Sequence, residues 1–247
     1  MVDERATSFG AAAGSYEAGR PDYPFDAVAW MLERLPAGAH RVADVGAGTG
    51  KLTRRLVAAP DAQVVAVDPD PAMLTALRAS TPGVPTFIGT AEQLPLPDAS
   101  VDAVVMGQAW HWVDPIAASM EIGRVVRPGG TLGLIWNVRD GRVPWVRRLT
   151  EIMNASVAEE LIAGPGPQVA APFDALEEER WEWSRPMSRE QLHHMALSRS
   201  HLIALGDEER AAVLSAMDDL FDAQGLSGDG TLDVPYVTVA YRSVHDG

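Results

Sequence analysis

The chain has 247 residues, a hydrophobic share of 47%, a formal net charge of −14 and no cysteine. That length accommodates one large α/β domain with an elaboration, or at most two small ones. The acidic balance argues against a nucleic-acid polyanion as the main partner, and the missing cysteines exclude disulfides, thiolate metal sites and a thiol nucleophile.

Arg139, Arg142, Arg147 and Arg148 form the one candidate basic cluster. No apolar run approaches the length a bilayer demands, and nothing resembles a signal peptide, so a cytoplasmic protein is expected. Residues 1–24 are small and polar, then aromatic, with Phe9, Tyr16, Arg20, Pro21, Tyr23 and Pro24. Gly14 and Pro21 oppose a long helix. A flexible arm is one reading; a lid over a ligand mouth, with Tyr16 and Arg20 reaching inward, is the other. Ala27, Val28, Trp30, Met31 and Leu35 then follow a helical period.

The stretch from Val42 to Gly50 is the centre around which the chain is organised. A β-branched run, Val42-Ala43-Asp44-Val45, leads into glycines at 46, 48 and 50, and a helical pattern begins at Lys51. Strand, glycine loop and helix make a nucleotide-sized site in a doubly wound fold. A dinucleotide fingerprint is G-x-G-x-x-G, and its third glycine would fall at Lys51. Asp44, two residues before the first glycine, suits a cationic ligand better than a pyrophosphate.

A second buried strand, Val64–Asp68, ends in an acid that could accept both hydroxyls of a ribose. Asp70-Pro71 supplies an N-cap and first-turn proline for the next helix, which leaves Asp68 free for a ligand. Thr86–Ile88 is a short third strand, followed by Gly89-Thr90-Ala91-Glu92-Gln93-Leu94-Pro95. Val101–Met106 is a fourth, and its loop Gly107–Val113 carries Gln108, Ala109, Trp110, His111 and Trp112 before Asp114-Pro115 starts another helix. In such a sheet the crevice between strands one and four is the ligand-binding switch point. His111 is a candidate general base; hydrogen bonding to backbone or substrate is the alternative. Asp102 orders backbone at the strand start.

The D-x-G-x-G-x-G pattern at Asp44–Gly50 resembles motif I of class I S-adenosylmethionine (AdoMet) methyltransferases. The R-x-x-R-P-G-G-x-L run ending at Leu132 is similar to their segment after motif IV. F-(x)6-Y-(x)3-R-P-x-Y-P from Phe9 to Pro24 resembles a type-11 subgroup that includes trans-aconitate methyltransferase-like proteins. The resemblance implies an α/β, doubly wound, mostly parallel seven-stranded sheet with its last strand antiparallel, and helical insertions as a substrate cap. It implies an arm over residues 1–24, an AdoMet-binding core over 25–137, and completion of the sheet over 138–247.

It also implies cofactor contacts from Tyr16, Arg20, Asp44, Gly46, Ala47, Gly48, Asp68, Pro69, Met73, Ala91, Glu92, Gln108, Ala109 and Trp110. Ala91 would offer its backbone N–H to adenine and Glu92 would lie near the exocyclic amine, or else face solvent on a helix. His111 is the catalytic candidate, and no metal is expected. The product would be S-adenosyl-L-homocysteine (SAH). A small-molecule acceptor is expected, with no nucleic acid and no membrane; a non-catalytic AdoMet-binding regulator and a nucleic-acid methyltransferase are the rivals. Were the acceptor a carboxylate, Arg20, Arg139 or Arg199 would neutralise it.

The helix after Pro115 is expected to run through Arg127 and end at Pro128-Gly129-Gly130, with Thr131–Trp136 as a fifth strand. Beyond Asn137, Val146, Leu149, Ile152, Met153, Val157 and Leu161 predict one helix, and Ala163–Pro172 a loop. Glu179–Trp183 is expected as strand six. Ser188 and Gln191 form a capping box, Asp207 opens a helix containing Val213–Phe221, and Val234–Tyr241 is the final strand. His193, His194 and His201 lie here, and adjacent histidines on a helix diverge, which opposes a metal site.

Overall fold

In a computed structural model, the structure describes residues 21–38, 40–59, 61–173, 175–197, 199, 202 and 205–246. Tyr16 and Arg20, and most of the expected lid, lie outside these residues. The first half runs α1 (Phe25–Leu32), β1 (His40–Val45), α2 (Lys51–Val57), β2 (Ala62–Asp68), α3 (Pro71–Ser80), β3 (Thr86–Ile88), β4 (Val101–Gly107) and α4 (Pro115–Val125). The second runs β5 (Val126–Arg139), α5 (Pro144–Met153), α6 (Val157–Ala163), β6 (Glu177–Met187), α7 (Arg189–Leu197), α8 (Asp207–Ala223) and β7 (Leu232–Val244).

The seven strands form one sheet in the order β3-β2-β1-β4-β5-β7-β6. Strands β1 to β5 pair in parallel, and β7 is antiparallel to both β5 and β6. The order reverses between β1 and β4, which opens a crevice at their carboxyl ends.

Burial on both faces explains the strands' continuous apolar character. Alternate residues of β1 go to opposite sides: Val42 packs with Met31 of α1 and Leu56 of α2, whereas Ala43 and Val45 pack with Ile122 of α4. A third cluster joins Leu149 and Met153 of α5 to Leu192 of α7, Phe221 of α8 and Tyr236 of β7. It caps the carboxyl end of the sheet beside β5.

The helix starts follow the expected chemistry. The Asp70 carboxylate accepts from the Ala72 N–H at 2.8 Å, and Asp114 accepts from Ile116 and Ala117 at 2.9 and 3.0 Å. Each satisfies donors that the first turn leaves without partners. Ser188 and Gln191 exchange the reciprocal bonds of a capping box. Asp102 accepts the Arg41 N–H at 2.7 Å and pairs with Arg127, so it does order backbone at the start of β4.

Three expectations need correction. The helix before β5 stops at Val125, so Pro128-Gly129-Gly130 does not terminate it. Those residues form an irregularity inside β5, whose register jumps from Val101↔Val126 to Ala103↔Thr131. The single helix expected over Val146–Leu161 is two, because Asn154 adopts a left-handed φ of 58° and Ser156 with Glu159 starts α6 as a capping box. Strand six is longer than Glu179–Trp183, because its pairing with β7 carries polar and aromatic residues alike.

Candidate functional site

The β1–α2 connection is shaped by glycine. Gly46, Gly48 and Gly50 all have positive φ, at 69°, 56° and 92°, a region that side chains populate at a cost. A Cβ on Gly46 would lie 2.6 Å from the Ala109 Cβ, whereas one on Gly48 would meet nothing within 4 Å. Gly46 therefore lets the loops after β1 and β4 touch, while Gly48 faces open space.

These loops border a cavity that runs from Asp44, Gly46, Ala47 and Gly48 past Gln108, His111 and Asn137 to Arg139, Glu159, Arg199 and Tyr236. Asp44 is fully buried; its Oδ2 accepts the Thr53 hydroxyl at 2.6 Å, and its Oδ1 has no hydrogen-bond partner. Burial pushes the Asp44 carboxyl up to about 7, the Thr53 bond opposes the rise, and the Asp68 charge adds to it. A buried carboxylate oxygen without a donor is costly, and the raised pKa expresses that cost by favouring the protonated form.

Asp68 is not free, contrary to the sequence expectation. Its Oδ2 accepts the Gly48 N–H at 2.8 Å and its Oδ1 the Asp70 N–H at 2.9 Å. The carboxylate thus ties the glycine loop to the end of β2, and any ribose contact would use its remaining lone pairs. Burial raises its pKa against these two bonds.

The loop after β4 is equally specific. Gln108 has a φ of 56° and donates through Nε2 to the Asn137 carbonyl at 2.7 Å. Trp136 donates its indole N–H to His111 Nδ1 at 3.3 Å. Indole is a donor only, so Nδ1 must accept, and the neutral ring then carries its proton on Nε2. Trp110 does not line the cavity: it is buried in the core, with its indole donating to the Gln168 carbonyl at 2.9 Å. Trp112 lines it instead.

Ala91 and Met73 are buried, Ala109 packs against Gly46, and Pro69 is half-buried; none of these four borders the cavity. Glu92 lies in a turn and accepts the Asp114 N–H at 3.0 Å. This bond holds a helix start, and Glu92 itself lies in a turn and not on a helix.

The far end contains residues that periodicity had not united. Glu159 Oε1 is 2.5 Å from Arg139 Nη2, and its Oε2 is 2.8 Å from Arg199 Nη2. Burial pushes Glu159 up, but the two guanidinium groups outweigh it and hold the carboxyl at about 2. Burial and the Arg199 charge bring Arg139 down to about 10, which leaves it charged at neutral pH. The signal available for Glu159 was the Ser156-x-x-Glu159 capping box. Of the candidate basic cluster, Arg139, Arg142 and Arg148 each pair with a carboxylate.

Residues 43–134 match the family model described as a methyltransferase domain. Over 243 residues the chain is 44% identical to an uncharacterised methyltransferase of Mycobacterium tuberculosis, covering 97% of this chain and 96% of that one. It is 39% identical over 132 residues to the malonyl-[acyl-carrier protein] O-methyltransferase of Methylococcus capsulatus, covering 51% and 48% of the two chains. A solved structure assigned as a type II methyltransferase, from Anaeromyxobacter dehalogenans, superposes with a TM-score of 0.67 at 25% identity, covering 91% of this chain and 97% of that one.

Proposed function

The chain belongs to the AdoMet-dependent methyltransferases, and we propose that it methylates a small-molecule acceptor bound in the cavity between the glycine loop and α6. The observation that carries this reading is the buried Asp44 Oδ1, unpartnered in the wall of a cavity that also holds a separate polar end. A cationic donor satisfies the first feature, and the enclosed second feature accommodates a small acceptor. The residues present fit AdoMet: Asp44 for its ammonium, Gly46 to Gly48 for close backbone approach, and no third fingerprint glycine for a pyrophosphate.

When bound, AdoMet supplies a methyl group on sulfonium; the acceptor lone pair bonds to that carbon as the C–S bond breaks and its electron pair returns to sulfur. The protein's part is alignment and exclusion of water. The Gln108–Asn137 bond holds the loop after β4 against β5. His111, oriented by Trp136, lines the cavity and helps to position the acceptor. A carboxylate or other anionic acceptor needs no base, which agrees with a histidine whose Nδ1 is already engaged. Asp68 supports the loop, and a ribose placed beside the cavity would meet only its remaining lone pairs.

Calorimetric titration tests the reading. AdoMet and SAH are expected to bind with micromolar or tighter affinity and NAD not at all, with SAH released during turnover on small acceptors. Binding of NAD without AdoMet would contradict it.

A further inference from the structure

Resting on the methyl-transfer reading above, we infer that the acceptor carries a carboxylate that docks on Arg199 and Arg139, and that this group anchors the molecule while another atom takes the methyl. Among the described residues, the far end of the cavity contains two guanidinium groups and one carboxylate, Glu159, a balance of one positive charge. All three are largely withdrawn from water: the side chains of Arg139, Arg199 and Glu159 are 4%, 17% and 13% exposed. A buried uncompensated charge is costly, and a single bound carboxylate neutralises it. Guanidinium is also the side chain whose planar fork matches a carboxylate.

The cluster is built and braced. Arg139 donates to Thr150 of α5 as well as to Glu159 of α6. Arg199 donates to the Asn154 carbonyl at 2.6 Å and to Glu159, while Ser156 gives its backbone N–H to Glu159 Oε2 at 2.8 Å. Several described elements contribute to this end: β5, the break between α5 and α6, the segment after α7, and β7 through Tyr236. The Tyr236 ring stacks on Trp183 at 4.9 Å. Burial raises the Tyr236 phenol, while Arg139, Arg185 and Arg199 draw it down and Glu159 opposes them.

Position separates the anchor from the reacting atom. The loop bearing His111 is tied to β5 at Ile135 and Asn137. Arg139 lies two residues beyond Asn137, about 7 Å along the strand. A carboxylate held there projects the rest of the acceptor back toward His111 and the donor's end of the cavity.

The test compares acids with their carboxamides. Butyrate, glutarate and benzoate, and the three corresponding amides, are titrated into the wild-type protein with and without saturating SAH. At least one acid is expected to bind tenfold or more tightly than its amide. Arg199→Gln should reduce that ratio to near unity while leaving SAH affinity within about threefold, and Arg199→Lys, which keeps the charge, should retain part of it. Thermal melts establish that each variant is folded, and should Arg199→Gln not fold, the comparison is read from Arg199→Lys.

Amides binding as well as acids in every pair, or no acid binding at all, overturns the inference. So does a tenfold loss of SAH affinity in the folded variants, which would place the donor's own carboxylate on these arginines. Failure of the wild type to bind SAH would instead defeat the methyl-transfer reading, and the acid–amide ratio of the unliganded protein would still decide the anion site.

Discussion

Replacing Asp44 by asparagine is expected to weaken SAH binding by about 30- to 100-fold, the loss of one charge-assisted hydrogen bond of roughly 2–3 kcal/mol. The amide oxygen introduced by that change can still accept the Thr53 hydroxyl, so the fold should survive. In the unliganded wild type, burial holds the Asp44 carboxyl at about 7. An ammonium beside it favours the ionised form, so binding expels a proton wherever the free protein is protonated. Affinity for SAH should therefore rise with pH, by roughly 20-fold between pH 5.5 and 7.5, and level off above.

The stability of the unliganded protein moves the opposite way. A carboxyl whose folded pKa is raised contributes fully below its unfolded pKa, near 3.8, and that contribution is lost as pH rises through about 7. Asp44→Asn should remove both dependences and melt at least as high as the wild type above neutrality. Calorimetry and thermal melts across that pH range read both effects. A wild-type affinity that is flat with pH, or a variant that binds SAH normally, would contradict Asp44 as the cation site.

Gly46→Ala is expected to reduce methyl transfer more than 100-fold. Its φ of 69° places an alanine in the left-handed region, at about 1–2 kcal/mol, and the new methyl would sit 2.6 Å from the Ala109 Cβ. Relief requires the loops after β1 and β4 to part, which moves Asp44's neighbours and the Gln108–His111 segment together. Gly48→Ala is the internal comparison. It bears similar backbone strain but meets no atom within 4 Å, so its stability loss should be the smaller and its defect confined to SAH affinity. Equal melting points for wild type and Gly46→Ala, with full activity, would remove the steric argument.

The first half of the fold was readable because each strand there is a short apolar run stopped by a residue with a definite local role. Asp70 and Asp114 cap helices, and Gly46 and Gly50 turn the chain by positive φ. Such roles depend only on neighbours in sequence. Asp68 was misread as available because one partner, the Gly48 N–H, becomes its neighbour only when β1 and β2 pair, while the other, the Asp70 N–H two residues on, closes a local turn that the helix-cap pattern at Asp70-Pro71 hides. Trp110 and Trp112 look equivalent in sequence, yet one enters the core and the other the cavity, a choice made by packing against α4 and the segment near Gln168. The α5–α6 break was hidden because Met153 and Val157 keep the helical period across it. Arg139, Glu159 and Arg199 come from three separate elements, and no spacing rule joins them.

The decisive measurement is a crystal structure with SAH bound. The donor's amino group is expected within hydrogen-bond distance of Asp44, with the sulfur facing the Gln108–His111 loop and open space continuing from it to Arg199. A ligand whose amine lies away from Asp44, or a cavity that SAH does not enter, would contradict the account.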